Sequence, residues 1–193
     1  IYTNVKGDAQ SIHSPLLRSC LSETLLLISE RGENAKIECV SSPRSFAENI
    51  IRGLPGLGDD WRILASLRDQ YARLMEAVPD PFLDHLEHLL EESPEDVRHL
   101  FAEGQAAFSG GSMQTGLLWG LETIAWSQEY LPRAALLLGR LALIDPGGKI
   151  ANRPINSLRN IFLWWYPCTN ATIDEKLAVI DLVIDQYPEV GWQ

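Results

Sequence analysis

Apolar residues recur every three or four positions along most of this chain, with polar residues between them. That spacing predicts helices that each bury one face. The most apolar stretch, residues 115–145, predicts two central helices. In its first half Leu117, Leu121, Ile124 and Ala125 share a face, and Trp119 and Trp126, two turns apart, make a second. A helix apolar on two faces is expected to be enclosed from more than one side. In its second half Leu131, Ala134, Leu138 and Leu141 form one stripe and Tyr130, Leu137 and Ile144 another, which leaves Arg133 and Arg140 as the polar edge. Pro132 lacks a backbone N–H, so this helix is expected to begin a residue or so before it, with residues 126–128 as a tight corner. Asp145-Pro146-Gly147-Gly148 ends the pair.

The remaining helices announce themselves by their starts. Ser14-Pro15, Ser42-Pro43, Asp80-Pro81 and Ser93-Pro94 each offer a capping oxygen followed by a proline suited to the first helical position. Ser93 with Asp96, and Thr172 with Glu175, have capping-box spacing. The predicted faces are Leu17, Cys20, Leu21, Thr24 and Ile28; Phe46, Ile50 and Ile51; Trp61, Leu64, Leu67, Tyr71, Leu74 and Val78; Phe82, Leu86, Leu89 and Leu90; and Val97, Leu100 and Phe101. Pro154 opens a helix carrying Ile155, Leu158, Phe162 and Trp165. The last runs from Ile173 through Leu177, Ile180 and Ile184 to Tyr187, and Pro188 stops it.

Residues 36–40 are the one strand candidate, too short to anchor a sheet. The expectation is an all-α protein of stacked antiparallel helix pairs, α-solenoid-like, with a compact irregular bundle as the alternative. No residue-level repeat of fixed period is present, so the solenoid reading is geometric. Residues 1–13 read as an extended lead-in and residues 14–193 as one helical domain with a hinge near 104–115, where Ser109-Gly110-Gly111-Ser112 lies.

Composition narrows the function classes. A net charge of −10 over 193 residues disfavours phosphate backbones and anionic membranes as partners. No apolar run reaches membrane-span length, because Glu122, Gln128 and Arg133 interrupt the best candidate. Cys20, Cys39 and Cys168 are odd in number and widely spaced, which fits a reducing cytoplasm. The first residue is not methionine and the end carries no polar tail, so a segment of a longer chain is expected.

Catalytic signatures are missing. The glycine-rich residues 53–60 lack the Lys-Ser/Thr ending of a phosphate loop, and Asp59 or Asp60 reads as a helix cap. Gly147-Gly148-Lys149 likewise reads as a cap. His85 and His88 stand three apart, where Asp84, Glu91 or Glu92 would complete a metal site, but they lie opposite the apolar stripe and lack a third ligand signature. No catalytic residue, metal or cofactor is therefore assigned.

The less ordinary stretch is Asn152, Arg153 and Pro154, followed by Arg159 and then Trp164, Trp165 and Tyr166. Arginine and tryptophan are enriched at interface hot spots, one as a planar donor fork and the other as a large rigid apolar surface. Asn152, Arg153, Arg159, Trp164, Trp165 and Tyr166 are the candidate protein-binding residues. A plain structural account competes: Trp165 continues the Ile155–Phe162 stripe, Trp164 covers a neighbouring helix, and Arg153 caps carbonyls of the preceding turn.

The phrases LLWGLETIAWSQEYLPRAALLLGRLALIDPGG, ANRPINSLRNIFLWWYPCT and PEVGW span about the last 80 residues. They resemble a helical-repeat region of large uncharacterised bacterial proteins of the signal-transducing P-loop NTPase and phage-defence type. The resemblance implies a non-catalytic sensor or scaffold segment, with enzymatic activities carried elsewhere in a longer chain; no catalytic motif of that group maps here. The expectation is thus a helical interaction module of a larger intracellular bacterial protein. It would bind another protein or another domain of its own chain, without nucleic acid or membrane. The alternative is an all-α enzyme or small-ligand or metal-binding domain with a site near His85 and His88.

Overall fold

A computed structural model describes residues 13–35, 42–102 and 113–192. The strand candidate at 36–40, residues 1–12 of the lead-in, and most of the hinge at 104–115 lie outside them. Every element of the described residues is helical: eleven α-helices, two 3₁₀ turns and no strand. The chain divides into two compact units, residues 1–93 and 94–193.

The first unit contains α1 (Pro15–Arg31), α2 (Pro43–Arg52), α3 (Trp61–Ser66), α4 (Tyr71–Ala77) and α5 (Pro79–Glu92), with a 3₁₀ turn at Arg68–Gln70. Ser14 and Ser42 cap α1 and α2 as expected, their hydroxyls accepting the backbone N–H of Leu17 and Ser45. α1 packs on α2 and α4, and α5 packs on α4 and α2.

The seam between α1 and α4 is polar. Arg18 donates to the Ser66 carbonyl, Ser22 to the Gln70 side chain, and Ser29 to the Ala77 carbonyl, each pair 48 residues apart in sequence. A constant offset means that α1 and the α3–α4 stretch run parallel in fixed register. The face this seam buries carries Ser22 and Leu25. The expected stripe is therefore wrong for α1: Leu17 is 46% and Leu21 62% exposed, with Cys20 and Thr24 exposed beside them. Directional bonds that would be costly to leave unmade when buried have set the helix rotation against its greasier side.

Two further faces are corrected. On α2 the buried residues are Pro43, Ala47 and Ile51, while Phe46 and Ile50 face outward. The single helix expected from Trp61 to Val78 is broken at Leu67. Side-chain donors take the carbonyls around that break: Ser66 bonds to Ile63, Tyr71 to Leu64 and Arg18 to Ser66. Tyr71 is fully buried, and desolvation pushes its phenol well above the usual range, so it remains a protonated donor. Its ring meets Phe82 edge-on at 5.5 Å. Helix α5 starts at Pro79, not Pro81. Both prolines sit in the first turn, where no intrahelical N–H bond is due, and Asp80 lies among them with its charge toward the positive helix end.

The second unit contains α6 (Pro94–Val97), a 3₁₀ turn (Arg98–Phe101), α7 (Met113–Ile124), α8 (Leu131–Ile144), α9 (Pro154–Ile161), α10 (Ile173–Gln186) and α11 (Pro188–Gly191). Helix α8 is the hub, packing against α7, α9, α10 and α11. Both of its predicted stripes contribute: Leu131, Ala134, Leu137, Leu138 and Leu141 are buried. A β-carbon on Gly139 would lie 2.7 Å from the Tyr187 ring, so glycine lets the end of α10 close onto α8. The Thr172–Glu175 capping box opens α10 with both reciprocal bonds present.

Helix α7 is not enclosed on two sides. Leu117, Leu121 and Ile124 are buried, whereas Trp119 and Trp126 are 58% and 51% exposed. Helix α10 is turned by roughly a quarter turn from its expected stripe. Val179 and Val183 are buried, while Ile173 and Leu177 are exposed. Helix α9 ends at Ile161, ahead of Trp164 and Trp165.

The corrected face of α1 makes a direct prediction. Leu25→Ala should lower stability by about 2–3 kcal/mol. Leu21→Ala on the exposed face should change it by less than about 0.5 kcal/mol. Urea unfolding of the two variants measures both; equal losses would restore the stripe read from periodicity.

Candidate interaction surface

The connection from α8 to α9 is built on one carboxylate. Asp145 follows the last turn of α8, and its Oδ1 accepts the Gly147 N–H at 3.0 Å and the Arg153 guanidinium at 3.0 Å. Gly147 has φ of 76°, the left-handed region that glycine enters without strain. Arg153 also donates Nε to the Ile150 carbonyl at 3.1 Å. Both side chains of the Asp145–Arg153 pair are less than a tenth exposed. The structure therefore places Arg153 inside, capping the preceding turn as the plain structural account has it. Asn152 is half-buried, and its carbonyl accepts from the buried Gln114 side chain. Its Nδ2 is buried without a partner, as is the hydroxyl of Ser157 one turn into α9.

Beyond α9 the chain forms a bend fixed at both ends. At its start the N–H groups of Phe162 and Leu163 bond to the carbonyls of Arg159 and Asn160. At its end Thr169 Oγ1 and the Asn170 N–H both donate to the Trp126 carbonyl, at 3.2 and 2.9 Å. Asn170 also accepts the Gln128 N–H at 2.9 Å, and the Gln128 side chain bonds to Glu175. The α7–α8 corner thus holds the bend through Gln128, which the sequence placed only in the corner, and through Thr169 and Asn170, to which it gave no role.

Between these anchors Trp164, Trp165 and Tyr166 are 75%, 80% and 63% exposed. Helix α9 has already ended at Ile161, and Pro167 disfavours helical backbone at Tyr166, so no helix resumes there. Neither tryptophan extends the α9 stripe or covers a neighbouring helix. Arg159 is exposed on the last turn of α9. Of the candidates, Trp164, Trp165 and Tyr166 are consecutive on one bend, Arg159 lies just before it, and Asn152 and Arg153 belong to the α8–α9 connection.

Burial first, and then the Glu122 carboxylate, push the Cys168 thiol up, with Lys176 acting the other way. Glu175 is held below the usual carboxylate range, first by the Thr172 backbone N–H and then by its hydroxyl.

In the first unit, Asp60 caps α3, accepting the Arg62 N–H at 2.9 Å, and Gly58 lies against His85. His88 Nε2 is 3.6 Å from Asp59, and His85 Nε2 is buried without a hydrogen-bond partner. Among the described residues no group of three or more His, Cys, Asp and Glu side chains is arranged to hold a metal ion. No helix among them is long and apolar enough to cross a membrane. The glycine–serine stretch at 108–112 lies outside the described residues. No protein-family model, curated protein or solved structure matches this chain.

Two predictions follow from these anchors. Arg153→Met strands the Asp145 charge and should cost about 3–5 kcal/mol, part of which Asp145→Asn in the same chain restores. Chemical denaturation of the single and double variants decides this, and no recovery in the double would show that the pair is not the coupled unit. The second prediction concerns pH. Because the folded chain depresses the Glu175 carboxyl, its contribution to stability is present above the unfolded value and disappears as pH falls through the folded one. Thermal unfolding from neutral to acid pH should therefore fall less steeply in Glu175→Gln, and identical slopes would contradict the capping-box account.

Proposed function

We propose that this chain is a non-catalytic helical interaction module of a larger intracellular bacterial protein. It uses the aromatic surface of residues 94–193 to bind another protein or another domain of its own polypeptide. The observation that carries the reading is the placement of tryptophan. Of six in the chain, only Trp61 is buried; Trp119, Trp126, Trp164, Trp165 and Trp192 are each more than half exposed. All five belong to the second unit. Tryptophan exposed on this scale withholds its large hydrophobic contribution from the fold, and such side chains dominate binding energy where partners bury them.

The anchored bend supports the same reading. Its hydrogen bonds at both ends fix the backbone that carries Trp164, Trp165 and Tyr166, reducing the ordering cost of association. The net charge of −10 supports a protein over nucleic acid as the occupant. Solenoid-like stacking of helix pairs is part of this proposal. It draws support from the parallel register of α1 with α3–α4 and from the packing of α1 on α2, α4 on α5 and α2 on α5. The resemblance to helical-repeat segments of P-loop NTPase and phage-defence proteins points the same way, with chemistry carried elsewhere in such a chain. Arg153 enters only as the residue that holds the α8–α9 connection.

A photo-crosslinking phenylalanine analogue at position 166, with a control at the exposed Glu23 of α1, tests the proposal in producing cells. Crosslinks to a defined protein should form from position 166 and not from position 23. Trp164→Ala with Trp165→Ala should reduce the association at least about tenfold while unfolding stability stays within about 0.5 kcal/mol. Absence of any protein crosslink at 166 would remove this surface from consideration.

A further inference from the structure

We draw no further inference here: the strongest candidate, the exposed aromatic patch of Trp164, Trp165 and Tyr166 on the bend after α9, belongs to the surface already described, and nothing in the structure shows what covers it.

Discussion

Helix α8 consumes the apolar faces of four neighbours at once, and the organisation of the second unit depends on that. A helix that meets four neighbours must be small where one of them approaches closely, as Gly139 is beneath Tyr187. Each neighbour then needs only one buried face. Among the described residues of the second unit nothing covers the other apolar faces of α7 and α10. The exposure of Trp119, Trp126, Ile173 and Leu177 is thus a geometric consequence of a single central helix rather than a set of separate accidents. The first unit reaches its arrangement differently. There, hydrogen bonds along the α1–α4 seam fix the register, and apolar burial is concentrated in α4 and α5.

Proline explains much of what was legible in the amino-acid order. Each of Pro15, Pro43, Pro94 and Pro154 stands at the first position of a helix as its sequence context predicts, because the missing N–H costs nothing there and φ is already set, whereas Pro188, read as a stop, also opens α11. Pro79 was missed because Val78 before it lacks a capping oxygen, whereas Asp80 before Pro81 has one. The all-helical class, the caps of α1, α2, α3 and α10 and the centrality of α8 all follow from local chemistry that neighbours in sequence can carry. Helix rotation does not. Ser22, Ser29 and Arg18 turn α1 toward partners 48 residues away, and no periodicity within the helix contains that information.

The candidate surface divides along the same line. Trp164, Trp165 and Tyr166 were identifiable by residue type, and Pro167 is a local signal against helical backbone at Tyr166. Arg153 was grouped with them because arginine serves equally well in interfaces and in caps; only the fold supplies Asp145 and the Ile150 carbonyl to decide between the two. Thr169 and Asn170 gave no signal, since their role exists only once the α7–α8 corner brings the Trp126 carbonyl within reach.

Stability and recognition are consequently carried by different residues in the same short region. The buried Asp145–Arg153 pair is intolerant of losing one partner, because an unpaired charge in a nearly dry site has no water to replace it. The tryptophans downstream have the opposite character: truncating them removes area that folding never used. Between the two groups lies α9, and the far end of the bend is held separately, by Thr169 and Asn170 on the α7–α8 corner. A surface held this way presents its rings on a fixed backbone, so less of the binding free energy is consumed in ordering it. Changes in α9 or its anchors should then alter recognition without touching a partner.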